Sequence, residues 1–227
     1  VISRRNGNHL WDQVYSTQLA GANMLFVAMF DEVDESTAIF KVSDVHPVTD
    51  HWVTYEGLPG DWYLRLAGAA QRMLNGAIPL SSTIPICPEC GGDEVSFNLG
   101  EDVADRMTHI QVDDGDTLVT SIGGKSCRRN VSSSSDLYFY FGVDDVFAYQ
   151  GGRPTLCITV DYYDTGTGSL ILQYDSNTGD DLPAKYKNGG SVSLTNSQQW
   201  RRAMFTVNDA YFGNRQNNGA DFRIARS

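Results

Sequence analysis

Four carboxylates directly follow the most apolar segment of the chain, residues 24–30, and they are the side chains best suited to chemistry. They are Asp31, Glu32, Asp34 and Glu35. Glu32 and Glu35 lie three positions apart, so a turn or a short helix places them on the same side. Glycosidic cleavage needs such a pair, because one carboxyl group protonates the leaving oxygen while another acts as base or nucleophile. A solvated acidic loop or a cation site is the alternative interpretation.

The sequence on either side of these acids predicts the elements that position them. Apolar residues recur near every 3.6 positions in residues 8–20 and 62–75, which is typical of helices. Residues 22–30 form a nearly continuous apolar run, as in a strand covered on both faces, and 52–55 form a second short strand candidate. The order helix, strand, loop, strand, helix predicts parallel α/β architecture, in which functional loops follow the carboxyl ends of strands.

Two blocks of this region resemble glycoside hydrolase families 71 and 99. They read NMLFVAMFDEVDESTAIFK at 23–41 and LPGDWYLRLAG at 58–68, and the likeness extends over about residues 8–85. The resemblance implies the last quarter of a (β/α)8 barrel. Such a quarter exposes unpaired strand edges, so we expect that it does not fold alone. We also expect that this chain is a processed product or a fragment, and that the parent chain or another chain supplies the remaining barrel.

The resemblance also assigns roles to the acids. Family 99 enzymes cleave α-mannosides internally with retention, and family 71 enzymes act on α-1,3-glucan. By position, Glu32 corresponds to the residue that assists the sugar's own 2-hydroxyl, and Glu35 corresponds to the acid/base. Asp31 and Asp34 stand where family 99 has Asn and His. The expected substrate contacts are Asp31, Asp34, Trp52, Tyr55 and Trp62.

From residue 95 onward the apolar residues alternate, and this period of two predicts strands. In one such segment Leu137, Phe139, Phe141 and Val143 share a face. Seven or eight of these segments, separated by Gly, Asn and Asp, predict an antiparallel β-sandwich over 95–227. The segment resembles the carbohydrate-binding-like sandwiches that often follow such barrels. Large aromatics usually pack within the protein, but four of them could stack on sugar rings: Tyr138, Tyr140, Tyr163 and Trp200.

The cysteines indicate an oxidising environment. Cys87 and Cys90 lie in residues 79–92, where Pro, Ser, Cys and Gly are frequent, and this composition is typical of a linker, which we place at 86–94. No second Cys-x-x-Cys or His pair completes a zinc site, and four cysteines allow three disulfide pairings. We predict Cys87–Cys90, across a tight turn, and Cys127–Cys157.

Charge and composition limit the classes of binding partner that we expect. Seventeen basic and 28 acidic residues give a net charge of −11, which favours neither nucleic acid nor an anionic membrane surface. Asn130 begins an Asn-Val-Ser glycosylation sequon, which together with the cysteines favours secretion. The acidic turns at 113–116 and 144–145 could offer oxygens to Ca²⁺, although such turns are usually only solvated. No other metal or cofactor is predicted.

The sequence therefore predicts an α/β barrel fragment over 1–85, a linker over 86–94 and an all-β antiparallel β-sandwich over 95–227. The predicted function is that of a secreted, retaining glycoside hydrolase, acting on an α-mannan or α-glucan as polysaccharide or oligosaccharide. We expect the isolated chain to be inactive. The alternatives are a non-catalytic polysaccharide-binding module and a structural component of an extracellular assembly.

Overall fold

The chain divides into two units, Val1–Gly92 and Asp93–Ser227. The computed structural model describes residues 4–33, 37–43, 55, 57–89, 93–131, 137–178 and 186–227. Each unit has a hydrophobic core of its own.

Two helices build the core of the N-terminal unit, α1 at Asn8–Leu19 and α2 at Trp62–Leu74. The buried side chains of α2 recur one helical turn apart and form a single stripe, which consists of Trp62, Tyr63, Leu66, Ala69, Ala70 and Met73. Trp11 of α1 packs into the same core, and its indole Nε1 donates to the Ser81 carbonyl at 3.1 Å. The α2 helix ends just before Gly76, whose φ of 72° favours glycine.

The predicted barrel fragment is wrong. The described residues of this unit include the two helices but no strand, and residues 22–30 run as irregular chain. Leu25 and Val27 pack against the helical core, whereas Met24 is 79% and Phe26 is 90% exposed. No neighbouring strand pairs with this segment among the described residues, so its apolar run has nothing to cover its second face.

The second predicted strand, 52–55, gives no support to a barrel either. Trp52 lies outside the described residues, and Tyr55 belongs to no regular element.

The C-terminal unit is built of short antiparallel strands. Within its described residues they are β1 (Ser96–Asn98), β2 (Val103–Asp105), β3 (Met107–Ile110), β4 (Thr117–Ile122), β5 (Lys125–Asn130), β6 (Tyr138–Val143), β7 (Leu156–Asp164), β8 (Ser169–Tyr174), β9 (Lys187–Ser193), β10 (Gln199–Val207) and β11 (Phe222–Arg226).

These strands form one larger sheet and three pairs. The larger sheet has five strands in the order β3-β6-β11-β8-β9. β7 pairs with β10 from Leu156↔Val207 to Asp164↔Gln199, while β1–β2 and β4–β5 are separate pairs.

The main core of this unit lies between the five-stranded sheet and the β7–β10 pair. Phe141, Leu172 and Phe222 contribute from the sheet, and Ile158 and Phe205 from the pair. Alternation along each strand explains the arrangement, because successive side chains point to opposite faces. Two layers packed over one core make this unit β-sandwich-like.

Candidate functional site

The segment between Phe30 and Ile39 carries the predicted catalytic acids, and we call residues 31–38 the acidic loop. Its base is closed by the Phe30 carbonyl, which accepts from the Ile39 amide at 2.9 Å and from the Phe40 amide at 3.1 Å. The Phe30 and Phe40 rings also lie 5.8 Å apart, centroid to centroid. These contacts hold the two ends of the acidic loop together.

The first two acids of the loop reach solvent to different extents. Asp31 is exposed, and its carbonyl accepts from the Val33 amide at 2.8 Å. Glu32 is half-buried, and its carbonyl accepts from the Thr37 amide at 3.2 Å. Asp34 and Glu35 lie outside the described residues, so the juxtaposition of Glu32 with Glu35 stays a prediction.

Arg4 and Tyr55 hold the far end of the acidic loop. Both donate to the carbonyl of Ala38, Tyr55 Oη at 3.0 Å and Arg4 Nη2 at 3.3 Å. The Arg4 guanidinium lies 3.2 Å from the centroid of the Tyr63 ring, and Tyr55 meets Tyr63 edge-on at 5.0 Å. Sequence reasoning missed the role of Arg4, because the pair Arg4 and Arg5 carries no pattern that indicates a contact with the distant Ala38 carbonyl.

The predicted substrate-contact residues do not share one role. Trp62 is only 1% exposed, and its Nε1 donates to the Asn6 carbonyl at 3.1 Å, so it is a core residue with no surface to offer a substrate. Tyr55 is half-buried, its hydroxyl donates to the Ala38 carbonyl, and its ring contacts the Tyr63 ring. Trp52 lies outside the described residues.

The aromatic residues proposed for sugar stacking on the C-terminal unit pack against other parts of that unit. Tyr140 is fully buried. Tyr163 and Trp200 meet edge-on at 5.9 Å, and Trp200 Nε1 donates to the Ile122 carbonyl at 3.2 Å. The β4–β5 turn therefore packs on this pair: a Cβ at Gly123, where φ is 55°, would lie 2.7 Å from the Tyr163 ring.

A line of side chains crosses the face of the five-stranded sheet that lies opposite the main core, and no sequence pattern predicted it. Arg223 Nε donates to Gln173 Oε1 at 2.6 Å, while Tyr140 Oη donates to Asp114 Oδ1 at 2.6 Å. The Arg223 guanidinium is also stacked between two rings, 3.9 Å from Tyr138 and 4.0 Å from Tyr186. Burial raises the pKa of Tyr140 above its usual range. Tyr138 and Tyr140 thus stabilise the sheet.

Two buried aspartates of the C-terminal unit differ in their surroundings. Asp164 accepts from both the hydroxyls and the amides of Thr195 and Ser197, and these bonds hold the pKa of its carboxyl well below the usual range. Among the described residues, the donors to the Asp221 carboxylate are the amides of Val143 at 2.8 Å and Asn214 at 3.1 Å. Burial raises the pKa of Asp221 to about 6.

Metal ligation gains no support in the part of the chain that the structure describes. No group of three or more His, Cys, Asp or Glu side chains is gathered there around a common point. In the first predicted calcium turn, Asp114 is the hydrogen-bond acceptor of Tyr140. In the second, Asp144 accepts from the Val146 amide and Asp145 from Asn214 Nδ2.

The disulfide prediction needs correction. Cys127 is a free, half-buried thiol, so the Cys127–Cys157 bridge is wrong. Cys87 and Cys157 are both disulfide-bonded, and a single disulfide joins them. The predicted Cys87–Cys90 bridge is therefore wrong as well, and Cys90 itself lies outside the described residues. Spacing misled here because pairing depends on tertiary structure and not on distance along the chain.

The predicted glycosylation site is partly occupied by an internal contact. Asn130 Nδ2 donates to the Tyr138 carbonyl at 3.1 Å, and a glycan on this nitrogen would have to replace that bond. Glycosylation of Asn130 stays a prediction.

Comparison with protein-family models, with curated proteins and with solved structures finds no match for this chain. No helix within the described residues is long and apolar enough to cross a membrane. The disulfide and the β-rich C-terminal unit are compatible with an extracellular protein.

Proposed function

We propose that this protein is a secreted glycoside hydrolase that cleaves α-linked polysaccharide with retention, using the carboxylates of the acidic loop. The observation that carries the proposal is the closure of that loop by the Phe30 carbonyl. A closed base fixes where the loop begins and ends, and acid/base chemistry requires carboxylates held in a set geometry. The sequence resemblance to families 71 and 99 supplies the reaction class.

In the proposed first step, Glu32 accepts the proton of the sugar's 2-hydroxyl while that oxygen forms a bond to the anomeric carbon. The bond from that carbon to the leaving oxygen breaks, and Glu35 gives its proton to the leaving oxygen. Water then opens the strained ring, giving its proton to Glu35 while Glu32 returns the first proton. Two displacements at one carbon leave its configuration unchanged, so the product keeps the anomeric configuration of the substrate.

Arg4 and Tyr55 act as positioning residues in this proposal. Both donate to the carbonyl of Ala38, the last residue of the acidic loop, so they restrain the backbone at that end of the loop. Neither needs to touch the sugar. Losing one of them should lower the turnover rate more than it weakens substrate binding.

The proposal is tested with the intact natural protein and its variants Glu32→Gln and Glu35→Gln, assayed on oligomers of α-mannan and α-1,3-glucan. Each variant should lose about 10²–10⁴-fold in turnover, the usual contribution of a general acid or base. Glu89→Gln is the matched control, since Glu89 is exposed and lies outside the acidic loop. If both loop variants cleave at the natural rate, or if the natural protein cleaves neither substrate, the proposal fails.

A second candidate function, a structural role in an extracellular assembly, is favoured by the exposed side chains of residues 22–30. We propose a second copy of this chain as the occupant, because these nine residues contain no charge and can pair with their own copy without like-charge repulsion. Phe26→Lys should then abolish concentration-dependent dimerisation in light scattering. Leu64→Lys, at an exposed leucine of α2, should leave it unchanged. A natural protein that stays monomeric at all concentrations contradicts this role.

A further inference from the structure

A groove lies on the C-terminal unit between the edge strand β3, the end of β6 and the turn at 214–219. Its volume is about 430 Å³. Sites that bind small molecules usually measure roughly 300–1,000 Å³, so the groove has room for a small ligand.

Gly142 lines the groove and adds no side chain to it. A Cβ atom at Gly142 would lie 3.6 Å from the Gly219 carbonyl oxygen and 3.6 Å from Ile110 Cδ1. Both groups belong to residues that line the groove, and one is polar while the other is apolar. Any side chain larger than alanine at this position would fill the space between them.

The charged side chains that line the groove are engaged with other groups. Arg106 Nη2 donates to Asp93 at 2.8 Å and to the Glu94 carbonyl at 2.6 Å. Among the described residues, Asp144 is the one carboxylate in the lining, and its Oδ1 accepts from the Val146 amide at 2.7 Å. An anion would meet a guanidinium that is already paired, and a hard cation would find too few oxygens. The lining therefore disfavours an ionic ligand.

Neutral hydrogen-bonding groups complete the lining. Thr108 and Asn218 are exposed, and no hydrogen bond of the Asn218 side chain is found within the described ranges. Asn214 Nδ2 donates to Asp145 at 2.9 Å, and no hydrogen bond of the Asn214 side-chain oxygen is found within the described ranges. Ile110 and Met107 supply apolar surface beside these groups.

We propose that this groove is a binding site for a neutral sugar ring. A pyranose presents a C–H face that suits Ile110 and hydroxyls that suit neutral amides and a threonine hydroxyl, and this combination is what the lining offers. The groove and the acidic loop belong to different units, so binding at one and cleavage at the other are separate observables.

The test is an NMR titration of the intact protein with an α-1,3-linked glucose oligosaccharide, an α-linked mannose oligosaccharide and glucuronate. A neutral sugar should shift the amide signals of Thr108, Gly142 and Asn218. Gly142→Val should abolish these shifts while the protein keeps its thermal transition, because a β-branched residue is well accommodated within a strand. Shifts confined to other residues, no shifts at all, or stronger binding of glucuronate would each overturn the proposal.

A milder variant distinguishes loss of a specific sugar contact from steric blocking of the groove. Asn218 has a left-handed backbone, φ 49°, so Asn218→Gly removes the amide without straining the chain. Binding should weaken about fivefold, which corresponds to one neutral hydrogen bond. Asn6→Gly, at another left-handed asparagine with φ 55°, is the matched control and should bind as the natural protein does. Equal affinity in Asn218→Gly and the control would remove Asn218 from the site.

Discussion

The Asp221 carboxyl provides the clearest quantitative prediction, since opposing effects act on it. Burial at 1% exposure disfavours its charged form, and the charges of Asp175 and Asp145 act in the same direction. The amides of Val143 and Asn214 favour the charged form. The effect of burial on the pKa is the larger one, so the pKa of Asp221 rises from 3.8 to about 6.

The sign of the stability effect follows from that rise. Between pH 3.8 and about 6 the unfolded carboxyl has lost its proton while the folded one retains it, so stability falls as the pH increases. Each tenfold step in proton affinity corresponds to 1.36 kcal/mol, which gives about 3 kcal/mol over this range. The contribution is fully present below the unfolded pKa and is lost as the pH passes the folded pKa.

The variant Asp221→Asn isolates the contribution of this carboxyl to stability. Relative to the natural protein, the variant should gain about 3 kcal/mol in unfolding free energy between pH 3.5 and pH 7. The measurement is urea unfolding across that range, with a carbon-13 titration of the Asp221 carboxyl as a direct check. Asp116→Asn, at an exposed aspartate, should show no such gain. If the Asp221 variant instead loses stability relative to the natural protein as the pH rises, the two amides outweigh burial and the reasoning is refuted.

Three further predictions concern other parts of the fold. Gly123→Ala should destabilise the protein by about 1–3 kcal/mol because its Cβ meets a ring, and Gly124→Ala, whose Cβ meets nothing, should cost only about 1 kcal/mol; thermal unfolding compares them. Burial lowers the pKa of His109 to about 4, so stability should rise between pH 4 and 6.5, and a His109→Phe variant that keeps this rise would contradict the assignment. Peptide mapping without reduction should recover Cys87 linked to Cys157, and a different linkage would refute this pairing.

Local periodicity predicted much of the fold. α1 and α2 lie where the 3.6-residue period placed helices. Strands such as β6 and β7 lie where apolar residues alternate, because one face of each strand packs on the core. These features depend on neighbours within a few residues, so the sequence alone contains the signal.

The failures concern features that depend on distant partners. Residues 22–30 are apolar enough for a buried strand, but a strand also needs a neighbouring strand to pair with. The pattern within the segment does not indicate whether such a neighbour is present. The predicted disulfide pairing was wrong for the same reason, since Cys87 bonds with a residue far along the chain. Arg4 and Arg223 were missed because their roles arise from rings and carbonyls that the fold brings to them.

The most direct test of the proposed hydrolase activity is the configuration of the first sugar product. Proton NMR of the anomeric signal, recorded while the intact protein acts on an α-1,3-glucan or α-mannan oligomer, distinguishes the α from the β anomer before mutarotation mixes them. Retention predicts that the α signal appears first and that it disappears in Glu32→Gln. A β signal appearing first, or turnover that Glu32→Gln leaves unchanged, would contradict the proposed function.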